Sequence, residues 1–267
     1  MGFTNSPLVT YTNLTKNKTS PRKYEIDTIT IHCVVGQWTA KQGCDYFATT
    51  DRECSSNYVV GKDGSIGLSV EEKDRAWTSG GPMKVNGISG SENDHRAITI
   101  EVASDKTAPY AVTDKAYEAL IKLVADICKR NNIKELKWKA DKKLVGQVDK
   151  QNMTVHRWFA NKSCPGDYLY ERHADIAEKV NAILNPPKKS TILYRVQIGA
   201  YSIKKNADVQ LDKVKKAGFT DAFITKVGKF YKVQTGAYSK KENAYNMLAK
   251  VKAKGFDAFI AKVVKEE

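Results

Sequence analysis

The sequence has no apolar run that approaches the length of a membrane span, so no transmembrane helix is expected. Its first residues, Met1-Gly2-Phe3-Thr4-Asn5-Ser6-Pro7, lack a basic stretch followed by an apolar one, and no standard export signal is expected. No Cys-x-x-Cys pair occurs, and the Lys-Gly-Phe-Gly-Phe-Val-x-Phe pattern of RNA-recognition modules is missing. Histidine is limited to 4 residues and cysteine to 5, an odd number that cannot all pair. Without an export signal the thiols are expected to be mostly reduced; Cys44 and Cys54 could pair if the intervening segment folds back, and Cys33 and Cys128 read as core. What is present, 41% hydrophobic and 28% charged residues over 267 positions, excludes the disordered classes and suffices for one sizeable core plus a small second domain.

Asp27 to Val35 is rich in β-branched residues and reads as a strand, and Ala97 to Val102 as a second, buried one. Asp63-Gly64 between Tyr58-Val59-Val60 and Ile66-Gly67-Leu68 predicts a hairpin. Residues 39–53 read as a short helix or loop near the site, and the lysine-rich stretch 134–152 as a surface loop. Thr113-Asp114 caps a helix to about Arg130, with Ala116, Leu120, Leu123, Val124 and Ile127 at helical spacing; Tyr168 to Leu184 forms another. Asn185-Pro186-Pro187-Lys188-Lys189-Ser190 is a linker, because two prolines forbid helix continuation. The expected domains are therefore 1–184 and 191–267, joined by 185–190.

His32 closes the first strand, and His156 leads in eight residues to Cys164 within Lys162-Ser163-Cys164-Pro165-Gly166. A lone strand histidine is more often a satisfied core residue. Two imidazoles and a thiolate together, however, make a three-ligand zinc site whose open position takes a water with pKa lowered toward roughly 7, the arrangement of a hydrolase. Thiolate and neutral imidazole are both required, so metal affinity is expected to weaken below about pH 6.

Four blocks recur in order: Ile29-Thr30-Ile31-His32, Ser56 to Ile66, Ala97-Ile98-Thr99-Ile100-Glu101, and His156 to Gly166. Through them residues 24–184 resemble the type 2 N-acetylmuramoyl-L-alanine amidases, the family of amidase-type phage lysozymes, bacterial wall amidases and animal peptidoglycan recognition proteins. The resemblance implies an α/β fold with a mixed central sheet flanked by helices. It implies Zn2+ held by His32, His156 and Cys164, Glu101 as general base, Lys162 as oxyanion stabiliser and Tyr58 near the metal. Family members often carry histidines where this chain has Asn57 and Thr78. His95 and His173 have no motif support and read as structural or solvated.

Beyond the linker the chain duplicates itself at an offset of 37 residues: Tyr194-Arg195-Val196-Gln197-Ile198-Gly199-Ala200-Tyr201-Ser202 returns as Tyr231-Lys232-Val233-Gln234-Thr235-Gly236-Ala237-Tyr238-Ser239. Each repeat reads strand, helix, strand, which predicts a small α+β βαββαβ domain with helices on one face. Residues 191–264 resemble the SPOR domains, peptidoglycan-binding modules, which makes Gln197, Tyr201, Gln234 and Tyr238 candidate wall contacts.

Residues 191–267 carry 16 Lys/Arg against 7 Asp/Glu, more of the net charge of +14 than their length predicts. Such a module is drawn to anionic polymers, of which the bacterial wall is one and nucleic acid another; the missing RNA pattern favours glycan. The expected protein is a zinc amidase made without a signal, acting on peptidoglycan after release as a phage or prophage endolysin or a sporulation autolysin. The rivals are a non-catalytic peptidoglycan receptor and a nucleic-acid-binding basic module.

Overall fold

The β-branched run at 27–35 becomes the strand Thr28–Cys33, with Ile29, Ile31 and Cys33 on one face and Thr28, Thr30 and His32 on the other. In this computed structural model, which describes residues 3–186 and 190–266, the Ala97–Val102 strand runs parallel beside it. In spatial order the sheet comprises Tyr11–Thr12, Ile66–Leu68, Tyr58–Val60, Ala97–Val102, Thr28–Cys33 and Met153–Thr154. Its one antiparallel pairing is the expected hairpin, Tyr58–Val60 with Ile66–Leu68, whose turn places Gly64 at φ 83°.

Helices cover both faces. Helix α1 (Ala40–Thr49) starts at a capping box between Thr39 and Gln42 and packs Cys44 and Phe47 on Val59. A short helix, α2, spans Gly90–Asp94. On the other face, α3 (Asp114–Arg130) is capped by the Thr113 hydroxyl, which accepts from Ala116 N–H. It joins α4 (Gly166–Leu184) over Ile29, Ile31, Ile98 and Ile100 in the main core. Burial on both faces explains why these strands read as near-continuous apolar runs. The lysine-rich stretch is not wholly a loop on the surface: Leu136, Val145, Gln151 and Asn152 are buried, and Lys142–Leu144 forms a 3-10 turn.

All five cysteines are free, Cys44 and Cys54 included; Cys33, Cys44 and Cys128 are buried. No described helix is long and apolar enough to cross a membrane. The chain divides into two units, Met1–Pro186 and Pro187–Glu267. Pro187, Lys188 and Lys189 of the expected linker lie outside the described residues.

The second unit runs strand Ser190–Tyr201, helix α5 (Lys204–Lys216), strands Phe223–Val227 and Phe230–Tyr238, helix α6 (Lys241–Ala253) and strand Phe259–Glu266. This is the expected βαββαβ order, and the sheet is antiparallel, with the two repeats' first strands paired at its centre. Val196 and Val233 meet Ala207 and Val214 of α5 and Val251 of α6 in one core, so both helices lie on one face. Across the opposite face, register aligns Phe223, Gln234, Gln197 and Phe259 in a single row.

Both histidines without motif support are buried parts of the scaffold. His95 Nδ1 accepts from Lys23 N–H. His173 Nδ1 donates to the Leu169 carbonyl at 2.7 Å, its ring lies 4.5 Å from the Trp138 ring, and burial pushes its pKa down to about 4. The folded chain thus refuses a proton that an unfolded histidine accepts below about pH 6.5, so stability is lost as pH falls from about 6.5 toward 4, by on the order of 3 kcal/mol. Urea unfolding of metal-free protein at pH 7.5 and pH 4 should show a smaller acid loss in His173→Gln than in the parent chain; equal losses would refute the assignment.

Candidate metal centre

The parallel strands end on one edge of the sheet, where open α/β sheets place their ligands. His32 and Glu101 are directly paired in register and therefore face the same side, the side of α1. The chain continues from Met153–Thr154 into a 3-10 turn at His156–Trp158, which sets His156 at the same edge. The loop to Cys164 is closed by Arg157, whose N–H donates to the Cys164 carbonyl at 3.1 Å and whose guanidinium donates to the Ser163 carbonyl at 2.5 Å. Gly166, at φ 80° and with Tyr110 Cβ 2.7 Å from where its own Cβ would stand, turns the chain from Cys164 into α4.

The ligand atoms of His32, His156 and Cys164 lie within 4.8 Å of one another. His32 Nδ1 is 3.3 Å from Cys164 Sγ and 4.0 Å from Glu101 Oε1, and the two imidazole centroids are 5.2 Å apart. The rings are held through their far nitrogens: His32 Nε2 is 3.3 Å from Ser79 Oγ, and His156 Nε2 is 3.1 Å from the Gly80 carbonyl oxygen. A carbonyl only accepts, so His156 carries its proton on Nε2 and keeps Nδ1 as a free lone pair. Two imidazoles and a thiol suit zinc, and the buried Glu101 Oε2 has no hydrogen-bond partner, as fits a carboxylate poised for a ligand.

Electrostatics favour the metal-binding imidazoles. Burial lowers the His32 pKa well below 6.5, and the His156 charge adds to that. Burial also lowers His156, with the neighbouring Lys162 ammonium contributing against the raising effect of the Gly80 hydrogen bond. Both rings are therefore neutral at pH 7. The Cys33 sulfur hydrogen-bonded to it, together with burial and the Glu101 charge, holds the Cys164 thiol well above its ordinary value. Glu101 is raised to about 8, by burial first and by Cys33 second.

Lys162 is exposed on the loop before Cys164. Beside the ligands opens a cleft of about 550 Å³ lined by Trp38, Tyr46, Phe47, Arg52, Trp77 and Glu101, among others. A groove of about 780 Å³ elsewhere, along Arg22 to Asp27 and Arg130 to Lys137, includes none of the site residues.

One expected residue is not brought to this site. Tyr58 pairs with Ile100, not Glu101, and so points to the α3 face, fully buried; its hydroxyl donates to Glu72 Oε1 at 2.6 Å and accepts from Ser6 N–H. Strand alternation decides this, and the residue reads as a core anchor. Thr78, in place of a family histidine, donates its hydroxyl to the Ser55 carbonyl. Ser79, Gly80 and Asp94 had no signature in an irregular stretch of sequence.

The second unit needs a similar correction. Gln197 and Gln234 are buried, with Gln234 Nε2 donating to Gln197 Oε1 at 3.4 Å and Arg195 Nη1 donating to Gln234 Oε1 at 3.2 Å. The repeats pair these glutamines with each other, so their amides are already engaged. Tyr201 packs against the helix-side core, and the Tyr238 ring lies over Gly236. The exposed ring of the row is Phe259, while Phe223 lies under the Arg195 guanidinium at 5.1 Å.

The family model for N-acetylmuramoyl-L-alanine amidase matches residues 22–167, and that for the SPOR domain matches residues 190–262. No curated protein matches the chain. Among solved structures, the peptidoglycan binding domain of the B. subtilis cell wall lytic enzyme CwlC is 40% identical, covering 29% of this chain and 96% of its own, with a TM-score of 0.26. AmpD is 18% identical over 66% of this chain and 99% of its own, TM-score 0.49. The endolysin N-acetylmuramoyl-L-alanine amidase LysCS from Clostridium intestinale is 16% identical over 67% and 99%, TM-score 0.41.

Because the imidazoles are neutral and the thiol is not ionised, metal uptake should release at least one proton from Cys164. Affinity should then weaken about tenfold per pH unit through the neutral range, not only below pH 6, because the thiol and not the imidazoles sets the window. Zinc calorimetry in buffers of different ionisation enthalpy measures this, and a proton count of zero would refute it. Tyr58→Phe should cost about 1–3 kcal/mol of stability by removing the buried hydroxyl that donates to Glu72 and by leaving the Ser6 N–H without its acceptor, with zinc affinity unchanged; weaker zinc binding at unchanged stability would return Tyr58 to the site.

Proposed function

The chain belongs to the N-acetylmuramoyl-L-alanine amidase family, whose model matches more than half of it, and from that premise we propose a zinc-dependent wall hydrolase with His32, His156 and Cys164 as ligands. The enzyme class cleaves the amide between N-acetylmuramic acid and L-alanine, and peptidoglycan is the partner of both the amidase and SPOR domains. The observation that carries the zinc reading is the convergence of two imidazoles and a thiol beside a carboxylate with one buried oxygen that lacks a partner.

Zinc bound there would supply a Lewis acid that brings a water pKa toward about 7. Glu101 takes the proton of the attacking water and returns it to the departing L-alanine amine. Its carboxylate stands 4.0 Å from His32 Nδ1, and its raised pKa suits a group that must both accept and release a proton near neutrality. Lys162 contributes positive charge for the oxyanion that develops on the scissile carbonyl. The aromatic cleft of Trp38, Tyr46, Phe47 and Trp77 receives the substrate next to these groups.

Residues 1–184 are the catalytic domain in this reading and 191–267 the wall-binding domain, with Phe259 and the half-covered Phe223 offering rings to sugar faces. A tether to the wall raises the local concentration of the catalytic domain. That pairing supports a lytic role, as a phage or prophage endolysin in the first instance and a sporulation autolysin in the second.

Mass spectrometry of purified wall digested by the zinc-loaded protein should show peptides with a free L-alanine amine, and a chelator should abolish them. Absence of any product with zinc present would make the chain a receptor. Glu101→Gln should lower kcat by about 100-fold to 10,000-fold while retaining zinc; activity within a few-fold of the parent would remove Glu101 from the chemistry.

A further inference from the structure

The far nitrogens of the two histidines rest on consecutive residues of one turn, Ser79 and Gly80. A single side chain holds that turn. Asp94 Oδ2 accepts from the backbone N–H of Thr78 at 3.0 Å and of Ser79 at 2.7 Å. Asp94 is 1% exposed and is the last residue of α2. The first residue of that helix, Gly90, braces the same turn: a Cβ there would stand 1.6 Å from the Ser79 carbonyl oxygen.

The proton arrangement follows from donor and acceptor chemistry. The Ser79 hydroxyl can donate to or accept from His32 Nε2, so that contact orients the ring, with Nδ1 toward Cys164 and Glu101. The Gly80 carbonyl only accepts, so it also fixes the His156 proton on Nε2. We propose that Asp94 is the positioning residue of the metal centre: by holding one turn it places the Ser79 hydroxyl on His32 and the Gly80 carbonyl on His156, and so sets the orientation of both rings and the tautomer of His156. Outer partners of this kind commonly govern metal affinity. The inference rests on the zinc reading above only for its effect on affinity; the tautomer belongs to the metal-free chain.

Long-range proton–nitrogen NMR spectra of the metal-free, full-length protein read the tautomers directly, and competition with a chromophoric chelator reads zinc affinity. The parent should show His156 protonated on Nε2. Asp94→Asn keeps an oxygen to accept the two N–H groups, so the His156 tautomer should stay as in the parent and zinc affinity within a few-fold of it. Asp94→Ala removes that acceptor: His156 should relax into a tautomer mixture and zinc should bind about 10-fold to 100-fold more weakly. If the alanine variant does not fold, Asp94→Glu, which moves the acceptor by one methylene, carries the test with the same expected direction. An unchanged His156 tautomer, or zinc affinity equal to the parent, in the alanine or glutamate variant would overturn the proposal. If the parent binds no zinc yet the His156 tautomer responds as stated, the zinc reading falls and the positioning role stands.

Discussion

The parallel pairing of Thr28–Cys33 with Ala97–Val102 is the constraint on which the site depends. It aligns His32 with Glu101 on one face and Ile31 with Ile100 on the other, so one register decides both the core and the candidate metal centre. A slip of one residue in either strand would turn its polar members into the α3–α4 core and its isoleucines toward the cleft. The six apolar residues that alternate with the polar ones in these two strands therefore hold His32 and Glu101 in place as much as they stabilise the fold.

Placing polar groups on an interior sheet face has a desolvation cost that must be offset by hydrogen bonds. The α1 side meets it with a network: Thr30 and Thr154 hydroxyls 2.7 Å apart, Asn93 donating to Thr30, and Asn57 and Ser56 engaging Thr99. Asn57 is bound within that network, so the place where relatives often carry a histidine is here part of the scaffold. Glu101 keeps one buried oxygen without a partner, as do Asp74 and Asp94.

Much of this was legible from the residues in line. Local signals marked the helix cap at Thr113, the Asp63-Gly64 turn, the strands and the duplicated second domain, because capping, turn chemistry and periodicity act over a few positions. The ligand trio was legible through its motif blocks. Tyr58 and the two glutamines were placed in the site from motif position and residue type. Strand alternation sends Tyr58 to the far face, and pseudo-symmetry pairs Gln197 with Gln234.

The sequence by itself determined the element order, the two-domain division and the residue types available for metal chemistry, since each follows from local pattern or repetition. Tertiary structure alone decided which nitrogen His156 presents, that Asp94 reaches the turn beneath both histidines, and that Cys164 sits where Cys33 and burial raise its thiol above the ordinary value. Those outcomes depend on contacts between residues 15 to 132 positions apart, and no local propensity encodes them.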